Sequence, residues 1–240
     1  MNIDDLKSEL DQIKEEKYNL LKLINHDIRS PFNRVFALLQ LFEMESEGAS
    51  EMQKNYINSM YISVLSGLEM ITNLRDMREI DAGYISIEKK EFELATTIKR
   101  ALRSFSKQID IKKIKVRAEL DIESTLINLD EYYVQRVIEN VISNAVKFSK
   151  EDKEIILKLT KETDFYRLEV IDEGEGIKDD EKHIVYSKFK KLSANATGGE
   201  GCLGLGLHNS KYFLSEMKGK IHFRGNENGG TIFVIELPVN

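Results

Sequence analysis

The chain has 240 residues, enough for one large domain or two smaller ones with a sizeable core. Hydrophobic residues make up 41% and charged residues 32%, a balance that excludes collagen, low-complexity chains and generic disorder. The net charge of −6 argues against nucleic acid as a main partner. With one cysteine and four histidines, the chain can form neither an internal disulfide nor a Cys-rich zinc site.

The first 24 residues carry a narrow apolar stripe. Its members follow steps of three and four, interrupted at Lys17, and they are Ile3, Leu6, Leu10, Ile13, Leu20 and Ile24. Such a stripe is typical of a coiled coil and is best buried against a parallel copy of the same helix, so the sequence predicts a homodimer. After Pro31, which is expected to kink the helix, the apolar stripe becomes broader.

A second helix is predicted after a short break. Gly48 is expected to end the first helix and Ser50 to cap the second. Apolar residues then recur at helical spacing, at Ile57, Met60, Tyr61, Val64, Leu68, Ile71 and Leu74. Residues 1–82 are therefore predicted to form a coiled coil and a helical hairpin, and two copies of the hairpin make a dimeric four-helix bundle.

Residues 83–240 are predicted to form a second domain that mixes helices and strands. Strands are expected at residues 85–87, 115–120, 155–159, 166–171, 220–224 and 231–237, and helices at 94–109, 131–148 and 206–217. This order is not a strict βαβ alternation, so a mixed sheet with helices on one face is favoured over a doubly wound fold. The predicted fold class is α+β.

The first candidate for chemistry is His26, in the segment HDIRSP. It lies off the apolar stripe, and a neutral imidazole exposed to water is a plausible nucleophile. Asp27 is placed to orient the ring or to accept its proton. The alternative is a plain surface histidine followed by an aspartate, which is a commonplace pair.

The predicted helix 131–148 ends in NVISNAVKFS. Asn140 and Asn144 lie four residues apart on one face, with Lys147 and Phe148 following. Two carboxamides, a cation and an aromatic ring suit a metal-bridged polyphosphate with a ring to pack. The alternative, two asparagines on a solvated face, is disfavoured by the apolar residues beside them.

The segment DEGEGI follows a predicted strand. Asp172 at the strand end is suited to accept a hydrogen bond from an exocyclic amine, and Gly174 and Gly176 let the backbone approach a flat base. An acidic turn is the alternative, whereas the oxygen spacing of an EF-hand calcium loop is absent.

A glycine-rich segment, GEGCLGLGL, leads into the predicted helix at Gly206. Glycines before a helix N-terminus leave N–H groups bare, which makes a phosphate seat. The spacing GxGxxG occurs here, but a polar loop precedes it where a Rossmann site needs a strand, and no P-loop motif occurs anywhere. Residues 193–201, which have almost no apolar anchor, are predicted to form a mobile lid.

Taken in this order, the motifs resemble the catalytic core of a sensor histidine kinase over nearly the whole chain. HDIRSPF at 26–32 is similar to the H-box of that family, 140–148 to its N-box, DEGEGI at 172–177 to its G1 box, and GLGL at 204–207 to its second glycine box. The resemblance implies a dimerisation and histidine-phosphotransfer hairpin at 1–82. It implies at 83–240 an α/β-sandwich ATP-binding domain of the type shared with gyrase and the Hsp90 chaperones.

The resemblance also implies residue roles. His26 is the implied phospho-acceptor with Asp27 as its acidic helper, and Ser30 stands where the family orients water for dephosphorylation. Asn140 is the implied magnesium ligand, Asn144 and Lys147 contact phosphate and ribose, and Asp172 reads the adenine amine. The other residues implied at the nucleotide are Phe148, Gly174, Gly176, Ile177, Lys191, Gly204, Leu205, Gly206 and Leu207, with Phe189 at the family's F-box position.

The function implied is an ATP-dependent protein histidine kinase of a two-component system. It is expected to phosphorylate His26 and to pass the phosphoryl group to an aspartate of a response-regulator receiver domain. ATP and magnesium are the expected cofactors, a homodimer the expected assembly and the cytoplasm the expected location. Membrane contact is expected only if an N-terminal sensor region outside this sequence supplies it.

Two alternatives stay open. Cys202 and Leu203 stand where the family usually has Gly-Thr or Gly-Ser, which leaves open a pseudokinase-like regulatory scaffold with impaired nucleotide binding. A plain ATPase of the gyrase-like group is the other, although it leaves His26 and Asp27 without a role. The histidines that match no catalytic position, His183, His208 and His222, are expected to be surface or structural residues.

Overall fold

The structure is a computed structural model that describes residues 3–45, 48–120 and 125–239. Within the first helix, the side chains of residues 3–11, 14, 17 and 20–26 lie outside the described part. The chain divides into two compact units, Met1–Ile85 and Ser86–Asn240, here called the hairpin unit and the sheet unit.

The hairpin unit consists of two long helices, α1 (Ile3–Glu45) and α2 (Glu51–Ala82). Helix α1 is continuous through Pro31. Ser50 caps α2 as predicted: its Oγ accepts a hydrogen bond from the backbone N–H of Gln53, whose side chain accepts one from the backbone N–H of Ser50. Helix α2 ends at Gly83, whose positive φ of 69° suits glycine.

The two helices approach closely at Gly67. A Cβ atom at this position would lie 2.1 Å from Cε1 of Phe32, so only glycine fits against that ring. Apolar side chains of α2 are buried on the same side, among them Ile57, Tyr61 and Val64. The contact therefore fixes the two helices side by side within one chain.

The sheet unit contains a five-stranded mixed sheet and a separate two-stranded one. The strands are β1 (Lys90–Glu93), β2 (Lys115–Glu119), β3 (Leu126–Leu129), β4 (Glu154–Lys161), β5 (Phe165–Ile171), β6 (Lys220–Gly225) and β7 (Thr231–Pro238). The large sheet has the order β2-β4-β5-β7-β6, with β2 and β4 parallel and the other pairs antiparallel. Strands β1 and β3 form the small antiparallel sheet.

The sheet unit also contains several helices. They are α3 (Leu94–Arg103), α4 (Ser106–Ile111), α5 (Glu131–Phe148) and α6 (Gly206–Glu216), and a 3-10 helix covers Asp179–Ile184. Helix α5 contacts both α3 and α6, and it also contacts β5. Its apolar face is completely buried, and strands β4 and β5 alternate buried and more exposed residues as expected for a sheet that is covered on one face. The α+β fold class, with helices over a mixed sheet, is confirmed.

Three expectations about individual elements are wrong. The strand expected at 85–87 is an extended segment without strand pairing, and β1 begins only at Lys90, where β3 supplies a partner. Strand β3 itself was not expected, because four residues carry too short an alternation to stand out. The helix expected at 94–109 is broken after Arg103 into α3 and α4.

Candidate nucleotide site and phospho-acceptor helix

Helix α5 supplies the first side of the candidate site. Asp130 caps it, accepting hydrogen bonds from the N–H groups of Tyr132 and Tyr133. Asn140, only 2% exposed, donates from Nδ2 to the carbonyl oxygen of Gly206 at 3.1 Å and to Oγ of Ser210 at 3.0 Å. The amide nitrogen of Asn140 is thus held by α6, and Oδ1 is the atom of this side chain that could ligate a metal ion.

The next residues on the same face differ in exposure. Asn144 and Phe148 are half-buried, whereas Lys147 is buried. The carbonyl oxygen of Lys147 accepts hydrogen bonds from Thr197 and from the ammonium group of Lys112. The structure therefore brings Asn140, Asn144 and Lys147 to one helix, as the sequence predicts, and adds a loop packed on the end of that helix.

Asp172 lies at the end of β5, directly beside the start of β7. Its Oδ1 accepts hydrogen bonds from the N–H groups of Gly174 at 2.9 Å and of Thr231 at 3.1 Å. Burial raises the pKa of the Asp172 carboxyl to about 6, and the two backbone hydrogen bonds act against that shift. A buried carboxyl with this pKa is a strong acceptor for a nearby N–H donor when it is ionised.

Glycines surround Asp172 where any side chain would collide. A Cβ atom on Gly230 would lie 2.2 Å from the carbonyl oxygen of Asp172, and one on Gly174 would lie 2.7 Å from that of Phe148. Gly176 has a φ of 76°, and Ile177 follows it at intermediate exposure. The backbone beside the carboxylate is thus kept bare, which fits a flat base lying against it.

The GLGL segment forms the other side of the site. Gly204 has a φ of 68°, and a Cβ atom there would lie 2.2 Å from the carbonyl oxygen of Lys190. Leu205 is buried, and α6 begins at Gly206, followed by the half-buried Leu207. The glycine segment therefore leads into a helix N-terminus, and Asn140 donates to the carbonyl oxygen of Gly206, the first residue of that helix. Binding of phosphate at this N-terminus stays a prediction.

Two of the residues that the sequence resemblance implies at the nucleotide site, Phe189 and Lys191, lie on the surface of the sheet unit. Phe189 is exposed and adopts a φ of 59°, with its N–H donating to the carbonyl oxygen of Gly204 at 3.1 Å. Lys191 is exposed as well. Cys202 and Leu203 are half-buried, between these residues and α6 in sequence.

The hairpin unit carries the candidate acceptor. His26 lies within α1, but its side chain is outside the described residues. Asp27 and Ser30 are exposed on the same helix. Ser30 lines a shallow groove with the side chains Arg29, Asn33, Arg34 and Ala37.

The other three histidines match no catalytic position of the resemblance. His183 and His222 are exposed, and His208 is half-buried with Nδ1 3.1 Å from the carbonyl oxygen of Tyr186.

Comparison with known families covers both units. A sequence model described as "His Kinase A (phospho-acceptor) domain" matches residues 16–83. Another, described as "Histidine kinase-, DNA gyrase B-, and HSP90-like ATPase", matches residues 129–240. The chain belongs to the sensor histidine kinases. It holds the catalytic core of that family, the phospho-acceptor domain followed by the ATPase-like domain.

Individual histidine kinases show the same relationship. Sensor protein KdpD of Clostridium acetobutylicum is 29% identical over 221 residues, which are 92% of this chain and 24% of that protein. The solved catalytic domain of histidine kinase ThkA is 26% identical with a TM-score of 0.57, over 63% of this chain and 96% of that one. Acinetobacter baumannii histidine kinase AdeS, at 19% identity and a TM-score of 0.59 over 90% of this chain and 98% of that one, shares the fold. The histidine kinase core spans about a quarter of the length of KdpD.

A divalent cation at this histidine kinase site would depend on few protein ligands. Among the described residues, no group of three or more His, Cys, Asp or Glu side chains is placed to hold a metal ion. Magnesium keeps most of its waters and is commonly held by one or two protein oxygens together with substrate phosphates. Oδ1 of Asn140 fits that donor set.

Several residues that shape the site were not singled out by sequence reasoning. Asn226 donates from Nδ2 to the carbonyl oxygen of Asp172 at 3.0 Å, and Thr231 donates to its carboxylate. Lys112 and Glu200 form a buried ion pair at the end of α5. The turn signal NENGG marks the Asn226 loop in the sequence, whereas nothing local marks a pair that is 88 residues apart.

Proposed function

We propose that this chain is an ATP-dependent protein histidine kinase that phosphorylates His26 and passes the phosphoryl group to an aspartate of a response-regulator receiver domain. The observation that carries the proposal is the buried carboxyl of Asp172, set among glycines beside a helix that bears Asn140 and Lys147. The phospho-acceptor family match over 16–83, which includes His26, supports His26 as the residue that accepts the phosphoryl group.

The proposed nucleotide contacts follow from the chemistry of each group. Asp172 would accept a hydrogen bond from the exocyclic amine of adenine, and the N–H groups at the start of α6 would bind phosphate. Asn140 would offer Oδ1 to magnesium, and Lys147 would contribute positive charge near the phosphates. These residues bind and orient ATP, because phosphoryl transfer depends chiefly on positioning and charge stabilisation.

The proposed transfer needs no further reactant. The lone pair of an imidazole nitrogen of His26 forms the P–N bond while the bond from the γ-phosphorus to the bridging oxygen breaks, and its electron pair leaves on ADP. The other ring nitrogen can then release its proton to water or to Asp27. In the second step an aspartate oxygen of the receiver domain forms a P–O bond as the P–N bond breaks.

We further propose that two chains form a homodimer through their hairpin units and that the core works in the cytoplasm, where ATP is supplied. The apolar side chains that a single hairpin leaves exposed support the dimer. None of the described helices combines the length and apolarity that crossing a bilayer requires.

Labelled ATP separates this function from the two alternatives. The chain is incubated with γ-labelled ATP and magnesium, and the fate of the label is followed. Label on the chain that is labile to acid and stable to alkali supports the kinase. Free phosphate alone would indicate a plain ATPase, and neither product would indicate a regulatory scaffold.

The variant Asn140→Ala tests the proposed magnesium ligand in the same labelling assay. The variant is expected to lose magnesium-dependent nucleotide binding and labelling together, because it removes the proposed metal ligand and the hold on α6. Asn195→Ala, in the exposed loop, is the matched control and is expected to keep both.

A further inference from the structure

Lys112 is buried at the junction of α4 and β2 with three acceptors around its ammonium group. Its Nζ lies 2.6 Å from the carbonyl oxygen of Val146, 3.1 Å from that of Lys147 and 2.8 Å from Oε1 of Glu200. The Lys112 and Glu200 side chains are 7% and 4% exposed. None of these contacts reaches the residues proposed to touch adenine or magnesium.

The first two acceptors belong to the C-terminal end of α5. The last four carbonyls of a helix have no partner within it, and the helix dipole places partial negative charge there. Lys112 satisfies the carbonyls of Val146 and Lys147 and supplies the positive charge that this end favours. The ammonium group of Lys112 therefore caps the C-terminal end of α5, although Lys112 is more than 30 residues away in the sequence.

The third acceptor fastens the loop before α6 to the same place. Glu200 also accepts a hydrogen bond from the N–H of Gly198 at 2.8 Å. Thr197 donates from its N–H to the carbonyl oxygen of Lys147 at 2.9 Å, and its hydroxyl lies 2.7 Å from the carbonyl oxygen of Ser149. Residues 197–200, here called the clasp, are thus docked on the end of α5 through polar contacts.

Removal of one partner would undo this docking. Burial lowers the pKa of Lys112, and the charge of Lys147 adds to that effect, while Glu200 opposes it. A buried carboxylate that has lost its cation is strongly unfavourable, so Glu200 would move to water and take the clasp with it. Cys202 and Leu203, further along the segment, are half-buried.

The clasp continues directly into the proposed phosphate seat. Four residues separate Glu200 from Leu205, and α6 follows at Gly206, whose carbonyl is held by Asn140. The segment is therefore fastened to α5 at two points. At one end Thr197 bonds α5 directly and Glu200 is tied to it through Lys112, and at the other end Gly206 is held by Asn140. Fixing a mobile segment before ligand binding lowers the ordering cost of binding.

We propose that Lys112 is a positioning residue for the nucleotide site, acting through Glu200 to hold the clasp on α5 and so to pre-order the segment that leads into α6. The inference rests on the proposed function, because ATP is the ligand that it concerns. Lys112 touches no reacting atom, so its loss should affect the binding of ATP more than the transfer step.

The variant Lys112→Met tests the proposal, with Lys113→Met as its matched control. Lys113 forms an ion pair with Glu151, but the side chains are 66% and 58% exposed, and such pairs contribute little. We expect Lys112→Met to raise the Kd and the KM for ATP–magnesium about tenfold or more, with kcat at saturating ATP within about twofold. Lys113→Met should match the unmodified chain.

Amide hydrogen exchange tests the clasp without relying on kinase activity. The N–H groups of Thr197 and Gly198 are hydrogen-bonded in the clasp, so they should exchange faster in Lys112→Met and in Glu200→Gln, while the amides of β5 and β7 stay protected. Glu200→Gln serves as the second variant should Lys112→Met fail to fold. The two substitutions together should cost less ATP affinity than the sum of their separate effects.

Four outcomes would overturn the proposal. They are unchanged exchange at Thr197 and Gly198, faster exchange with unchanged ATP affinity, tighter ATP binding in Lys112→Met, and a fall in kcat with KM unchanged. If the unmodified chain bound no ATP, the proposed function would fail, and the exchange measurement would still decide whether the clasp exists.

Discussion

The apolar residues of helix α5 in the sheet unit and those of the two helices in the hairpin unit differ in their exposure to water. In α5 the apolar residues Val137, Ile138 and Val141 are completely buried. In the hairpin unit, Leu38 is 64% exposed and Phe42 57%. Among the described residues of the two hairpin helices, the exposed large apolar side chains are Ile13, Ile28, Val35, Leu38, Leu41, Phe42, Met44, Met52, Tyr56 and Met60.

This difference shows that the two units achieve stability in different ways. The sheet unit covers its own apolar face with α3, α5 and α6. The hairpin unit buries one side of its helices within the chain and leaves a second apolar side for another surface. Substitutions in the sheet unit should therefore act on folding, and substitutions on the exposed hairpin face should act on association.

The largest expected effect concerns the core of the sheet unit. Ile138→Ala should lower its free energy of unfolding by about 2–5 kcal/mol, because it removes apolar contacts and leaves a cavity beneath α5. Urea unfolding followed by circular dichroism measures the change. Tyr132→Ala, on the exposed side of the same helix, removes more atoms and should nevertheless cost less.

The next effect concerns association of the hairpin unit. Leu38→Glu should raise the dimer dissociation constant by about 100-fold, because burying a leucine contributes ~1.5–3 kcal/mol and a carboxylate resists burial. Sedimentation equilibrium measures the constant. Unfolding of the sheet unit should be unchanged in the same variant. A dimer as tight as that of the unmodified chain would show that Leu38 lies outside the interface.

A third effect concerns the buried carboxyl of the sheet unit. The pKa of Asp172 is raised to about 6 by burial, so between about pH 4 and 6 the folded chain binds a proton that the unfolded chain releases. Asp172 therefore costs stability increasingly as the pH rises through this window. At pH 7, Asp172→Asn should be more stable by roughly 2 kcal/mol.

Nucleotide binding by the same variant should change in the opposite direction. The Kd of the unmodified chain for ATP should rise as the pH falls through 6, because protonation weakens the acceptor, whereas Asp172→Asn should bind about tenfold more weakly with no such step. Calorimetric titration between pH 5 and 8 measures both. Asp179→Asn, on an exposed carboxyl, is the control. Equal ATP affinity in Asp172→Asn and the unmodified chain would remove Asp172 from base recognition.

The smallest expected effect is local to the hairpin turn. Ser50→Ala should cost the hairpin unit about 1 kcal/mol, because it removes the cap that accepts the N–H of Gln53. Ser63→Ala, at an exposed position within α2 where the hydroxyl bonds the carbonyl of Ser59, should be neutral or slightly stabilising. Thermal unfolding of both variants provides the comparison. Equal losses of stability in Ser50→Ala and Ser63→Ala would mean that the Ser50 cap makes no specific contribution to the stability of the hairpin unit.

Predictability from sequence followed the length and strength of the local pattern. Helix α5 has the predicted bounds, because eighteen residues repeat the helical period between an aspartate cap and a serine. The motif residues around Asp172 and Gly204 were found because special backbone geometry needs glycine at fixed positions. Strands β1 and β3 were missed, because each of these four-residue strands depends on a partner more than 30 residues away.

The polar contacts between residues of the candidate site could not be predicted from the sequence either, because their partners are also far apart along the chain. Lys112 and Glu200 are an ordinary lysine and an ordinary glutamate in the sequence, and they become a buried pair only when β2, α5 and the loop before α6 are assembled. The hydrogen bonds of Asn226 and Thr231 to Asp172 likewise depend on the pairing of β5 with β7. Tertiary assembly, and no local pattern, creates these groups.

Mapping the phosphorylated residue tests the central claim most directly. After incubation with γ-labelled ATP and magnesium, the account predicts one acid-labile label that maps to the peptide containing His26. The label should be absent in His26→Ala and retained at the level of the unmodified chain in His183→Ala, while both variants bind ATP normally. Label that persists at the unmodified level in His26→Ala would contradict the account.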